Sequence, residues 1–186
     1  MVDKAKECAD MGQFVFLDDS EYNIPGENIT VFGATLFTDP PVDKLETLES
    51  FYNNDVFLYG WDVQQHVWAN HQTWRYLSER IRTITVEDPS RAFIIFTHNC
   101  PSRSVLTLGD TLQADVDGVS HRFSTDSEGQ HPWGAPNLLL WAFGSTNHNC
   151  DYADMWSDMR VYSNQRGFQE LEDFDERKFV DVVPLE

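Results

Sequence analysis

Basic residues are scarce in this sequence. Thirteen Lys and Arg stand against thirty-one Asp and Glu, a net charge of −18. A surface that acidic repels phosphate backbones and anionic lipid, so neither nucleic acid nor a membrane is an expected partner. Cysteine is scarce as well. Cys8, Cys100 and Cys150 cannot build a disulfide framework and suit a reducing compartment. Long apolar runs are missing: the longest, at 92–96 and 138–143, fall far short of a bilayer span. The opening Met-Val-Asp-Lys-Ala-Lys-Glu-Cys is charged and lacks the apolar centre of a signal peptide. No Gly-x-Ser-x-Gly elbow, no Gly-rich phosphate loop ending in Lys-Ser or Lys-Thr and no Gly-x-Gly-x-x-Gly is present, which removes the usual serine-hydrolase and nucleotide-binding signatures. What remains is the expectation of an acidic, cytoplasmic domain.

What is there is ample apolar and aromatic material. The 186 residues are 41% hydrophobic and 13% aromatic, with six Trp and thirteen Phe. That length fits one domain, which buries roughly 70% of the surface of its unfolded chain. Gln13 to Leu17 reads as a short β-type run ending in an acidic turn at Asp18, Asp19 and Ser20, and Asn23-Ile24-Pro25-Gly26 supplies a turn. Ile29 to Phe37 reads as a buried strand interrupted by Gly33 and ended by Pro40-Pro41, with a helix and then a loop over 45–57. Val63, Val67, Trp74, Leu77, Ile81 and Ile84 recur at helical steps, which predicts one long helix from about Trp61 to Ile84. Asp88-Pro89-Ser90 ends it, and Ala92 to Thr97 is an apolar strand. Residues 101–136 form an irregular excursion with a helical turn near Phe123, long enough to be a functional loop. Leu138 to Phe143 and Arg160 to Ser163 are further strands. An acidic tail begins near Gln169, and Lys178 to Val183 is a final edge strand. Helices between strands make this an α/β domain.

Histidine is the first candidate for chemistry. His66 and His71 lie five apart on the long helix, roughly 140° apart around its axis, and cannot share a metal. Ala69-Asn70-His71-Gln72 resembles a metal-binding Asn-His-acid turn, but it sits within the helical pattern and lacks the Gly and the acid. His121 and His131 read as surface residues of the excursion. His98 stands at the carboxyl end of the strand Ala92 to Thr97, where α/β proteins place ligand and catalytic groups. The tripeptide His-Asn-Cys occurs twice, at His98-Asn99-Cys100 and His148-Asn149-Cys150, and the four residues His98, Cys100, His148 and Cys150 make a legitimate zinc set. Cys100 beside His98 is also a candidate thiolate nucleophile. Gly109-Asp110 opens like a Gly-Asp-x-x-acid turn, but Gln113 stands in the acid's place.

Four segments, taken in order, point to a family. Phe96-Thr97-His98-Asn99-Cys100-Pro101, Leu140-Trp141-Ala142-Phe143-Gly144, Cys150-Asp151-Tyr152 and Val161-Tyr162-Ser163-Asn164-Gln165-Arg166-Gly167-Phe168 together resemble the calcineurin-like metallophosphoesterases. The similarity is to a branch in which a strand-end Thr-His precedes Gly-His-Thr-His and an Asn-Gln-Arg-Gly-aromatic turn follows. It extends backwards through Phe14 to Leu17, Ile29 to Phe37 and the long helix. The resemblance implies a four-layer α/β/β/α sandwich with two metal ions at the sheet edge. Those ions polarise a phosphoester and generate hydroxide, and they need about six to seven His, Asp and Asn ligands.

The departures from the family pattern are specific. Its Asp-x-His, Gly-Asp-x-x-acid and Gly-Asn-His-acid motifs are absent, as though the chain began partway into the fold. Ser145 and Asn147 stand where the resemblance would put two imidazoles, and only His98 falls on a ligand position. His148 lies one residue beyond the expected place and, with Asp151, is a candidate shifted ligand. A dinuclear centre needs carboxylates to offset two divalent cations, and one neutral His cannot hold even one ion tightly. The leading expectation is an incomplete four-layer α/β/β/α sandwich, a degenerate phosphoesterase acting as a binding or regulatory module with no tightly bound cofactor. A second is a working hydrolase of a small phosphoester, using two Mn, Fe or Zn ions through a rearranged site or a separately supplied N-terminal part. A third is a small protein stabilised by zinc on the two His-Asn-Cys triplets. An unpaired sheet edge would be covered by a protein partner or by self-association.

Overall fold

The computed structural model describes residues 13–46, 48–49, 60–109, 118–167 and 173–182. Cys8, Gln113, residues 51–57 of the expected helix and loop, and residues 169–172 of the acidic tail lie outside them. The described strands are β1 (Ser20–Asn23), β2 (Ile29–Ala34), β3 (Ala92–Thr97), β4 (Leu138–Phe143), β5 (Cys150–Ala153) and β6 (Arg160–Ser163). The helices are α1 (Val63–Glu87) and α2 (Val105–Leu108), with short 3-10 helices at Val42–Lys44 and Val119–Arg122. The strands form one six-stranded sheet in the order β1-β2-β3-β4-β6-β5. β2, β3, β4 and β6 run parallel, and β1 and β5 close the two edges antiparallel. This is a mixed α/β fold. Among the described residues no helix is long and apolar enough to cross a membrane.

Register explains where the core lies. Phe32 pairs with Ile95, Ile95 with Trp141 and Trp141 with Val161, so these four residues form one row across the parallel strands. All four are fully buried, and they join Leu77, Ile81 and Ile84 of α1 in one apolar cluster. Because side chains alternate along a strand, the neighbouring rows point the other way. Val31, Ile94 and Leu140 make one such row; Gly33, Phe96 and Ala142 make the next. Part of that second face is covered, since Leu140 and Ala142 are buried. Leu17 crosses it at Gly33, where an added Cβ would stand 2.4 Å from the Leu17 Cβ. Ile94 is only half-buried there and Phe96 is 48% exposed.

α1 starts and stops where its chemistry requires. The Asp62 carboxylate accepts the Gln65 N–H at 2.8 Å, and the Gln65 side chain accepts the Asp62 N–H at 2.9 Å, a reciprocal cap worth about 1 kcal/mol. At the far end the Asp88 side chain accepts both the N–H and the hydroxyl of Ser90, which turns the chain into β3. The Arg80 guanidinium clamps Glu21 at 2.6 and 2.9 Å and so ties edge strand β1 to the helix. That contact holds the Glu21 carboxyl below its usual range, while burial first, and then Glu21, push the Tyr76 phenol up to about 12.

Several expectations need correction. Residues 13–17 are irregular; the hydrogen-bonding edge of β2 is taken by Ser20–Asn23, and the Gln13 to Leu17 segment passes over the sheet face instead. β2 ends at Ala34, short of Phe37, because Leu36 takes a left-handed φ of 52° and redirects the chain. Residues 178–182 contain no strand, and Val183 lies outside the described residues. Cys150 begins a strand of its own, β5, which the sequence reading did not contain. Leu45, Glu46, Leu48 and Glu49 are helical, as expected.

The buried stripe of α1 is also more polar than its apolar spacing suggests. His66, Asn70 and Thr73 continue the line of Leu77 and Ile81 toward the N-terminus. His66 is 5% exposed; its Nε2 accepts the Thr38 N–H at 3.0 Å and lies 2.8 Å from the Thr38 hydroxyl, and Phe37 packs edge-on to the ring. Burial, reinforced by the Arg122 charge, lowers its pKa from 6.5 to about 4. The unfolded chain therefore takes up this proton first, and stability falls as pH drops from about 6.5 toward 4. Between about pH 7 and about pH 5 the loss assignable to this ring is about 2 kcal/mol. Urea unfolding at both pH values is expected to show that loss in the wild type and to show it about 2 kcal/mol smaller in His66→Gln; equal slopes would refute the assignment.

Candidate functional site

The carboxyl ends of β2, β3, β4 and β6 meet along one edge of the sheet, the position at which open α/β sheets bind ligands. β3 continues into His98 and Asn99, whose N–H groups donate to Ala34 and Thr35 carbonyls at 3.2 and 3.1 Å. β4 continues into Gly144, whose N–H donates to the His98 carbonyl at 3.1 Å. The backbone is thus held at His98, Asn99 and Gly144.

The side chains there are mostly engaged with one another. Ser145 and Asn147 both adopt left-handed φ, 63° and 53°. The Ser145 hydroxyl donates to buried Asn99 Oδ1 at 3.0 Å. Gln165, just beyond β6, is the hub of the edge. Its amide nitrogen lies 2.6 to 3.0 Å from Ser163 Oγ, Thr146 Oγ1 and the His148 carbonyl. Its amide oxygen accepts the Asn147 N–H at 3.2 Å, while its backbone exchanges hydrogen bonds with the Asn149 side chain. Amides and hydroxyls satisfy each other here, the Asn149 amide also donates to the Asp173 carboxylate at 3.0 Å, and each such bond is costly to leave half-made.

The residues singled out in the sequence are not gathered together. The His98 imidazole is exposed and makes no hydrogen bond to a described residue. The His148 ring packs on Gly109, where a Cβ would lie 2.5 Å from Nδ1. Asp151 sits on β5 with both carboxylate oxygens on Arg160, at 2.7 and 2.9 Å, and with Lys178 at 3.2 Å. Those partners, Arg160 first, hold its carboxyl below the usual range. Among the described residues no three His, Cys, Asp or Glu side chains converge on a point where one ion could sit. Two divalent cations would need several anionic donors, and the edge offers amides, hydroxyls and one open imidazole; this donor set does not fit them.

Cys100 and Cys150 belong to the interior. The Cys100 thiol is fully buried and donates to the Ser102 carbonyl at 3.1 Å. Burial pushes both thiols up to about 12, with the Cys150 charge adding at Cys100 and Asp151 adding at Cys150. Neither is the activated nucleophile that a neighbouring His could have made of it. His121 and His131 are half-buried rather than surface residues, and burial lowers the His131 pKa.

Sequence reasoning missed a second polar locus. The excursion folds back on the segment that follows β3 through a parallel bridge between Cys100 and Ser124, and its next turn faces α1 across a cleft of about 280 Å3. Asp39, Asn70, His71 and Trp74 line one side, and Thr125 and Ser127 the other. The one signal that could have found it was the Asn70-His71 pair, which the helical pattern absorbed. The chain matches no family model, no curated protein and no solved structure.

A thiol test follows from the burial. In a Cys8→Ser background, Cys100 and Cys150 are expected to react with a disulfide reagent at neutral pH only after urea unfolds the chain. Rapid native labelling of either would show a thiol more exposed, or more ionised, than its surroundings allow.

Proposed function

We propose that the chain is a metallophosphoesterase-like module that binds without hydrolysing phosphoesters by the two-metal route. The single observation that carries this reading is the substitution of the expected imidazoles by Ser145 and Asn147 within an edge closed by Gln165. A metal cage of that family is anionic and open toward its ions. Among the described residues this edge is made mainly of amides and hydroxyls that bond to one another, with the Asp173 carboxylate held by Asn149, and no three metal-binding side chains converge there to polarise a phosphoester. His98 alone keeps a family position, and among the described residues no carboxylate is hydrogen-bonded to it to orient it or add charge.

The same reading gives the sheet face that carries Ile94 and Phe96 a role. In the incomplete four-layer arrangement that the resemblance implies, this is the face on which a second sheet packs. Half-buried Ile94 and the exposed ring of Phe96 support that assignment. The occupant in this reading is a different protein with a basic, apolar surface, because two copies each carrying −18 repel one another. A cytoplasmic location accords with protonated, unpaired thiols.

Two measurements test the proposal. Purified protein supplied with Mn2+, Fe2+ or Zn2+ and an aryl phosphate is expected to give turnover at the background rate and to retain far less than one equivalent of metal after desalting. Stoichiometric metal together with turnover lost in His98→Ala would overturn it. Sedimentation at low salt is expected to show a monomer; a dimer dispersed by Phe96→Glu would assign the open face to self-association instead.

A further inference from the structure

The cleft between α1 and the 125–130 turn shares no residue with the strand-end edge, and what it binds goes beyond the preceding reading. Its floor presents polar groups whose hydrogen-bonding capacity the described residues leave partly unused. Asn70 is 5% exposed; its Nδ2 donates to the Phe37 carbonyl, whereas its Oδ1 takes no hydrogen from a described residue and is open to the cleft. Ser127 is 3% exposed, with its backbone N–H on the Pro101 carbonyl and its hydroxyl without a described partner. Thr125 Oγ1 accepts the Asp39 N–H at 3.3 Å and keeps its own proton to give. Two open polar atoms and one hydroxyl proton on residues that line one recess make it a place where a ligand can replace water in hydrogen bonds.

Chemistry narrows the ligand. Trp74 stacks on buried Trp141 at 5.9 Å and lines the cleft with the rest of its ring, a rigid flat apolar wall. The charges at the rim are largely spoken for: His71 pairs with Asp39 at 3.1 Å, and Arg75 lies 3.8 Å from Glu79. Asp126 keeps a carboxylate without a described partner, so the balance is acidic and disfavours an anion. Asn70 Oδ1 and Asp126 need donors, while Thr125 needs an acceptor; a hydroxyl is both. The volume, about 280 Å3, falls just below the roughly 300–1,000 Å3 of sites for drug-sized ligands. We infer that this cleft binds a neutral polyhydroxyl ligand of monosaccharide size. One apolar ring face lies on Trp74, and the hydroxyls are read by Asn70, Thr125, Ser127 and Asp126.

The test uses the full chain and saturation-transfer NMR. The probes are glucose, galactose, mannose and N-acetylglucosamine, with a hexose phosphate and glutamine as the charged and zwitterionic comparisons. The expected result is saturation of the ring protons of at least one free sugar, with its affinity weakened about tenfold in Ser127→Ala and in Asp126→Asn, the equivalent of one hydrogen bond. Asp126 is exposed, so its variant reports even where Ser127→Ala lowers stability. No saturation of any free sugar, binding indifferent to both substitutions, or binding confined to the hexose phosphate or to glutamine would each overturn the inference. None of these results bears on whether the strand-end edge hydrolyses phosphoesters.

Discussion

The indole of Trp141 holds the parts of this fold to one another. It occupies the central row of the sheet, fully buried, and its Nε1 donates to Thr97 Oγ1 at 3.1 Å. Thr97 in turn gives its proton to the Asn99 carbonyl at 2.7 Å, so the turn that carries His98 is pinned from beneath. Trp74 from α1 and Trp133 from the excursion both approach the same ring at 5.9 Å. The excursion is long, and closing it costs conformational entropy that its few backbone bonds to β3 could not offset. Aromatic burial supplies what is missing: truncating such a ring typically costs about 3–5 kcal/mol. The cleft beside Trp74 exists because this cluster fixes both of its walls.

A rigid floor allows the strand-end edge to be made of short, neutral side chains. Metal cages collect like charges that repel each other whenever the ions leave. The Gln165 network has no such tension, since each amide and hydroxyl finds a complementary group within hydrogen-bonding distance. Its cost is specificity of another kind. The amide at 165 cannot be replaced without leaving several buried acceptors and the Asn147 N–H unpaired.

Three cations of this acidic chain bind carboxylates at the sheet margins. Arg80 joins Glu21 of β1 to α1, and Arg160 with Lys178 binds Asp151 at the opposite margin. Exposed pairs of this type contribute at most about 1 kcal/mol each. Their placement matters more than their sum. Charged side chains on an outer strand discourage pairing with another molecule, which a six-stranded open sheet would otherwise invite.

Much of this was legible in the sequence. The apolar runs at Ile29, Ala92 and Leu138 announced β2, β3 and β4, and helical spacing from Val63 to Ile84 announced α1, because periodic burial is written into neighbouring residues. That Ser145 and Asn147, rather than imidazoles, follow β4 was likewise plain, since it is a matter of residue identity alone. Strands β1 and β5 were not legible: each is four residues long and exists only because a partner strand offers its edge. Nor could spacing show that His66 is buried, that Asp151 is committed to Arg160, or that Asn70 faces Ser127 across a cleft. Those facts depend on which distant groups meet, and in a polar residue the same side chain reads as surface or interior until its partner is in place. Composition and local pattern thus set the acidic character, the elements and the missing donors, whereas pairing across the fold decided which polar groups were satisfied and which were left to receive a ligand.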